Sequence, residues 1–163
     1  MLRRTITAIL TCVCVTTAAF ACGSDPVVET SDPIGRGQRI YAENCAGCHG
    51  LNGEGQPHWQ STNPDGTLPA PPLNGDGHTW HHGDGTLYKQ VKLGGAYLEE
   101  QGLAGFKSGM PAFEDTLTHQ EIIDVLTYVK NLWRDQEIHG TTKRDAQAMV
   151  SENDPFPAAP DRE

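Results

Sequence analysis

Residues 45–49 read Cys45-Ala46-Gly47-Cys48-His49, two thiols and an imidazole in one short run, and no other stretch constrains the fold so strongly. Covalent attachment of a c-type haem requires two cysteines close enough to add to both vinyl groups and a neighbouring histidine to reach the iron; this run meets all three demands. Zinc is a rival, but a structural zinc site generally takes four protein ligands, and the nearest further cysteine is Cys22, outside the region that reads as folded. A thioredoxin-like pair is another, though nothing around it resembles a strand leading into a βαβ unit. A Cys45–Cys48 disulfide would leave His49 without a purpose.

A haem bound through His49 needs an occupant for its sixth position, and Ser108-Gly109-Met110-Pro111 offers one. Gly109 and Pro111 stop any helix there and hold the Met110 sulfur on a stiff loop, whereas a methionine that merely fills a core sits within a periodic apolar pattern. Met149 falls in a polar C-terminal region and Met1 in the leader.

The rest of the chain suits an embedded cofactor. At 163 residues there is room for one domain plus a leader and a tail, and the hydrophobic fraction of 37% is low, with much of it in the first twenty-odd residues. Such a core needs a large apolar object to fill it, and 18 Gly with 11 Pro predict long loops wrapped around that object.

The N-terminus reads as an export signal over residues 1–21: basic Arg3 and Arg4, an apolar stretch from Ile6 to Phe20, and Ala19-Phe20-Ala21 as an A-x-A cleavage site. The expected location is therefore the periplasm or the outer face of a bacterial cytoplasmic membrane. Cys22 follows directly, with Gly23, Ser24 and Asp25 after it, and resembles the end of a bacterial lipoprotein signal. Lipid on Cys22 would avoid a free N-terminal thiol in an oxidising compartment. Residues 22–31 read as a polar tether.

Loss of Arg3 and Arg4 takes the formal net charge from −9 to −11. Nucleic acid is excluded as a partner on that balance; a basic patch on a redox protein of the cell envelope suits it, as does plain solubility.

The folded domain is expected over 32–135. Asp32 can cap a helix with Pro33 in its first turn, running through Ile34, Gly37, Ile40 and Tyr41 to the cysteine motif. Gly50 to Gly85 carries no sustained period and reads as loops. Leu87, Tyr88 and Val91 mark a short helix ending near Gly94. Thr118 and Glu121 form a capping box for a helix bearing Ile122, Val125, Leu126, Val129 and Trp133 on one face. Residues 136–163 read as a flexible tail.

From Asp32 to Trp133 these features resemble a class I mono-haem cytochrome c. The resemblance implies a mainly α fold in which N- and C-terminal helices cross beside a covalent haem, with long loops between. It matches Gly37 and Tyr41 to the small and aromatic pair at that crossing, with Val125 and Tyr128 opposite. It matches Pro71 and Leu73 to a Pro-x-Leu segment whose proline carbonyl accepts the second nitrogen of the haem histidine, here His49. It implies electron transfer by a protein that is not an enzyme.

Gly77-His78-Thr79-Trp80-His81-His82-Gly83 stands apart. Haem-edge packing, with Trp80 donating to a propionate, is the favoured expectation; a second metal site and solvent-exposed histidines are the alternatives. A haem enzyme or a haem-based sensor with a displaceable sixth ligand also stays open, with His81 or His82 as acid or base.

Overall fold

The computed structural model describes residues 32–101 and 107–160. The leader, Cys22 and the tether lie outside the described residues. Helix α1 (Pro33–Asn44) starts as its sequence predicts, with the Asp32 carboxylate accepting from the amides of Ile34 and Gly35 at 3.1 Å each. The cysteine motif continues into a four-residue helix, α2 (Ala46–His49). A long irregular stretch and a 3₁₀ turn (Thr79–His81) lead to α3 (Asp84–Leu93) and α4 (Gly95–Glu100). Helix α5 (His119–Trp133) carries the expected reciprocal capping box between Thr118 and Glu121. The fold is mainly helical, as expected.

Helices α1 and α5 cross at Gly37, where a Cβ would fall on the Asp124 carbonyl oxygen, so only glycine lets the two backbones approach this closely. Tyr41 and Tyr128 pack with ring centroids 5.2 Å apart beside Val125 and Val129. Next to them Asp124, 1% exposed, takes a two-pronged hydrogen bond from Arg36 (2.7 and 3.0 Å) and a third from Gln120. A buried carboxylate needs such partners, because its desolvation is otherwise uncompensated. A second apolar cluster, Leu87, Tyr88, Leu117, Ile122 and Leu126, joins α3 to α5.

The flexible-tail expectation for 136–163 is corrected. Residues 137–160 fold back as a small hairpin, β1 (Glu137–Ile138) antiparallel to β2 (Thr141–Thr142), followed by α6 (Lys143–Ser151) and an extended segment. Helix α6 docks on the 3₁₀ turn through a polar anchor. Gln147, 1% exposed, donates to Asp84, to Ser151 Oγ and to the His82 carbonyl. Asp154 then caps α3, its carboxylate accepting from Thr86 N (2.8 Å) and its carbonyl from Gly85 N (2.8 Å). Phe156 packs on the Leu87 cluster beneath Lys130, whose Nζ lies 5.3 Å from the ring centroid.

Candidate functional site

The chain from Gly50 to Asn74 doubles back so that two of its segments lie side by side. Gly55 N donates to the His49 carbonyl (2.7 Å), Gln56 N to Ala70 O (2.9 Å), and Leu73 N and Asn74 N to Gly53 O (2.7 and 3.0 Å). Gly55 has φ of 71°, and a Cβ there would meet Pro72 N at 2.5 Å, so the approach of the two segments depends on its bare backbone. The result puts the Pro71 carbonyl 2.9 Å from His49 Nδ1. A carbonyl only accepts, so Nδ1 carries the proton and Nε2 keeps its lone pair for a metal. Burial lowers the His49 pKa, opposed by the Pro71 bond, so the ring is neutral and fit to ligate.

His49, Cys45, Cys48, Pro71 and Met110 all line one cavity of about 470 Å³. Its remaining wall is largely apolar, with Tyr41, Leu73, Leu87, Val91, Phe113 and Val125 among the contributors. The cavity lies within the range typical of cofactor sites. Tyr41 donates its hydroxyl to Gly50 O (2.7 Å), and burial pushes its pKa up, keeping the wall uncharged.

Cys45 and Cys48 form no disulfide with each other. Burial, then the charge of Cys48, pushes the Cys45 thiol up to about 11, opposite to what a thioredoxin-like nucleophile requires. Among the described residues, no group of three or more His, Cys, Asp or Glu side chains is placed to hold a metal ion, which leaves the zinc reading without support. The donor set, the apolar wall and the oriented His49 together fit a covalent haem.

Met110 sits on a loop tied at both ends: its carbonyl accepts from Gly95 N (2.9 Å), and its amide donates to Ser108 Oγ (3.2 Å). Its sulfur accepts from Gln90 Nε2 (3.3 Å), which also donates to Gly94 O (3.3 Å). Both neighbours are acceptors, which fixes the orientation of the Gln90 amide and leaves its Oε1 buried without a protein partner.

Residues 34–133 match the family model for cytochrome c. The chain belongs to the cytochrome c family. Membership implies haem-based electron transfer and a covalent c-type haem on the Cys45–Cys48 pair. Two relatives share similar identity with this cytochrome c: a nitrite reductase of Stutzerimonas stutzeri, 32% identical over 100 residues covering 58% of the chain, and a thiosulfate dehydrogenase of Psychrobacter arcticus, 31% identical over 100 residues covering 60%. The chain spans only 15% and 25% of those two relatives. No solved structure gave a significant match.

One assignment shifts. Trp80 is not among the residues lining the cavity: its indole N–H donates to the Gly77 carbonyl (3.2 Å), and its ring lies under Lys143 of α6, 5.7 Å from Nζ to centroid. The C-terminal fold-back, read from sequence as a tail, takes up this indole. Trp59, on the loop before Pro71, lines the cavity instead, together with His78 and His82. Sequence reasoning passed over Trp59 and Gln90, since neither stands in a motif or a periodic pattern.

Proposed function

We propose that this cytochrome c carries single electrons outside the cytoplasm through one haem attached at Cys45 and Cys48, whose iron His49 and Met110 would hold. The observation behind this reading is that His49, with Nδ1 spent on Pro71, and Met110, with its sulfur steered by Gln90, line the same apolar cavity. When bound, the haem supplies an iron that cycles between two oxidation states one electron apart. The protein's part is to hold both ligands through either state. His49 is kept in one tautomer by Pro71, Met110 is tethered through Ser108 and Gly95, and the apolar wall excludes water.

Export by the residue 1–21 signal and a lipid on Cys22 complete the proposal, giving a carrier tethered by residues 22–31. Among the described residues no helix is long and apolar enough to cross a membrane. Partners are redox proteins of the cell envelope. Both relatives are named as enzymes, so the second reading is a domain that serves, or itself performs, catalysis at the haem.

The oxidised protein should show the sulfur-to-iron charge-transfer absorption of a His/Met haem and should ignore carbon monoxide when reduced. Met110→Ala should abolish the band, lower the potential, because a thioether favours reduced iron, and admit carbon monoxide. High-spin iron in the parent that binds carbon monoxide and turns over peroxide would replace the carrier reading with the catalytic one.

A further inference from the structure

The Gly77–Gly83 loop gathers three imidazoles into one cluster. The 3₁₀ turn, closed by His81 N to the His78 carbonyl (3.2 Å) and His82 N to Thr79 O (3.3 Å), brings residues three apart onto one side. Ring centroids of His78 and His81 are 5.4 Å apart, His78 and His82 5.4 Å, and His81 and His82 4.5 Å. His78 and His82 also line the haem cavity, and Trp59 covers His78 with a centroid distance of 6.0 Å. The cluster therefore faces the cofactor site on one side and the C-terminal fold-back on the other.

We infer that His78 and His82, packed against His81, form a proton-binding site coupled to the haem, which takes up one proton when an electron enters the iron and releases it when the electron leaves. The inference rests on the carrier reading. In each cycle a one-electron redox protein supplies the electron, solvent supplies the proton, and both are returned on oxidation, so charge and atoms balance.

The geometry limits the cluster to a single proton near neutrality. Two charged imidazoles about 5 Å apart would repel, lowering the affinity for a second proton by roughly a hundredfold at an effective dielectric of ~20. Burial lowers the pKa values of His78 and His82, and the neighbouring imidazoles lower them further.

The surrounding charges come from four elements. Asp154, in the extended segment, raises the His82 pKa against those effects, and its carboxylate is already engaged by Thr86 N. Asp84, at the start of α3, is held by Lys130 of α5 (2.7 Å) and by Gln147. Lys143 of α6 lies over Trp80 and donates to Gly75 O and Gln136 Oε1. The acids and lysines nearest the cluster thus each hold hydrogen bonds or ion pairs of their own.

Reduction removes one positive charge from the site, so the cluster holds its proton more tightly in the reduced protein. At an effective dielectric of ~20 the difference is on the order of tenfold in proton affinity. Potentiometry of the holoprotein should therefore show a plateau at acid pH, a fall as pH rises through the two pKa values, and a second plateau. The total fall should be about 59 mV for that tenfold change. The fall should begin in the mildly acidic range, below the ordinary imidazole value.

A His78→Gln, His82→Gln double variant should lose most of the fall, while His119→Gln, whose imidazole is bonded to the Tyr88 hydroxyl at 2.8 Å, should keep it. A parent potential that does not vary with pH, or a fall that survives in the double variant, overturns the inference and leaves the carrier reading intact. Absence of any reversible one-electron wave sinks the carrier reading instead. Where the double variant does not mature, NMR titration of the parent imidazoles in both redox states decides: equal pKa values in the two states refute the coupling, and a higher value in the reduced state supports it.

Discussion

Replacing Gly37 by alanine sets two effects against each other. Alanine in a helix interior is favoured over glycine by about 0.8–1 kcal/mol, so propensity alone would stabilise α1. Against this, the new Cβ would lie on the Asp124 carbonyl oxygen, 2.6 Å from its carbonyl carbon and 2.9 Å from Tyr128 Cβ. Backbone atoms of a packed helix cannot rotate away, so α1 and α5 must separate, loosening the Tyr41–Tyr128 contact and the Arg36–Asp124 pair together. Overpacking of this kind costs about 1–3 kcal/mol, and contact with backbone places it at the upper end. The balance is a loss of about 1–2 kcal/mol, or roughly 4–8 °C in Tm for a domain of this size. Gly47→Ala is the matched control: it also lies in a helix, but a Cβ there meets nothing within 4 Å, so its stability should hold or rise by up to about 1 kcal/mol. Thermal unfolding followed by circular dichroism, on samples with equal haem content, measures both. A Gly37→Ala protein that melts with the parent or above it would refute the close-approach argument.

Two further outcomes are expected. With Met110 as the proposed iron ligand, Gln90→Leu removes the hydrogen bond to its sulfur, so the thioether would donate more strongly and the potential should fall by a few tens of millivolts at most, about the worth of one hydrogen bond; an unchanged potential and charge-transfer band would show that the contact does nothing for the proposed ligand. Truncation after Gly140 removes Gln147, the Asp154 cap and Phe156, and should cost roughly 1–3 kcal/mol from one half-buried aromatic and one cap, read as a lower Tm; a truncated protein that melts with the parent would show that the fold-back adds nothing.

Much of this arrangement can be read from short-range signals. Asp32 before Pro33, and Thr118 three residues before Glu121, announce helix starts because a cap is a local hydrogen bond. Gly37 and Tyr41, with Val125 and Tyr128 opposite, were legible through the family resemblance, as was Pro71 beside His49. The C-terminal fold-back was not. Helix α6 buries a glutamine rather than an apolar stripe, and its docking runs through Gln147, Ser151 and Asp154, which hydrophobic periodicity does not register. One signal was present: Thr142 caps α6, its hydroxyl accepting from Asp145 N at 3.1 Å. The place of Trp80 was hidden for a related reason, since a loop's path is set by distant contacts such as α6 rather than by its own residues.

The pairing of Arg36 with Asp124 joins positions 88 residues apart in the chain. Closing a loop of that length costs about 4 kcal/mol in chain entropy. Cys45, Cys48 and His49 lie close to one side of the crossing, while α5 is synthesised long after them. Asp124, which cannot be buried without its arginine, thus ties completion of the apolar wall to arrival of α5 in the correct register.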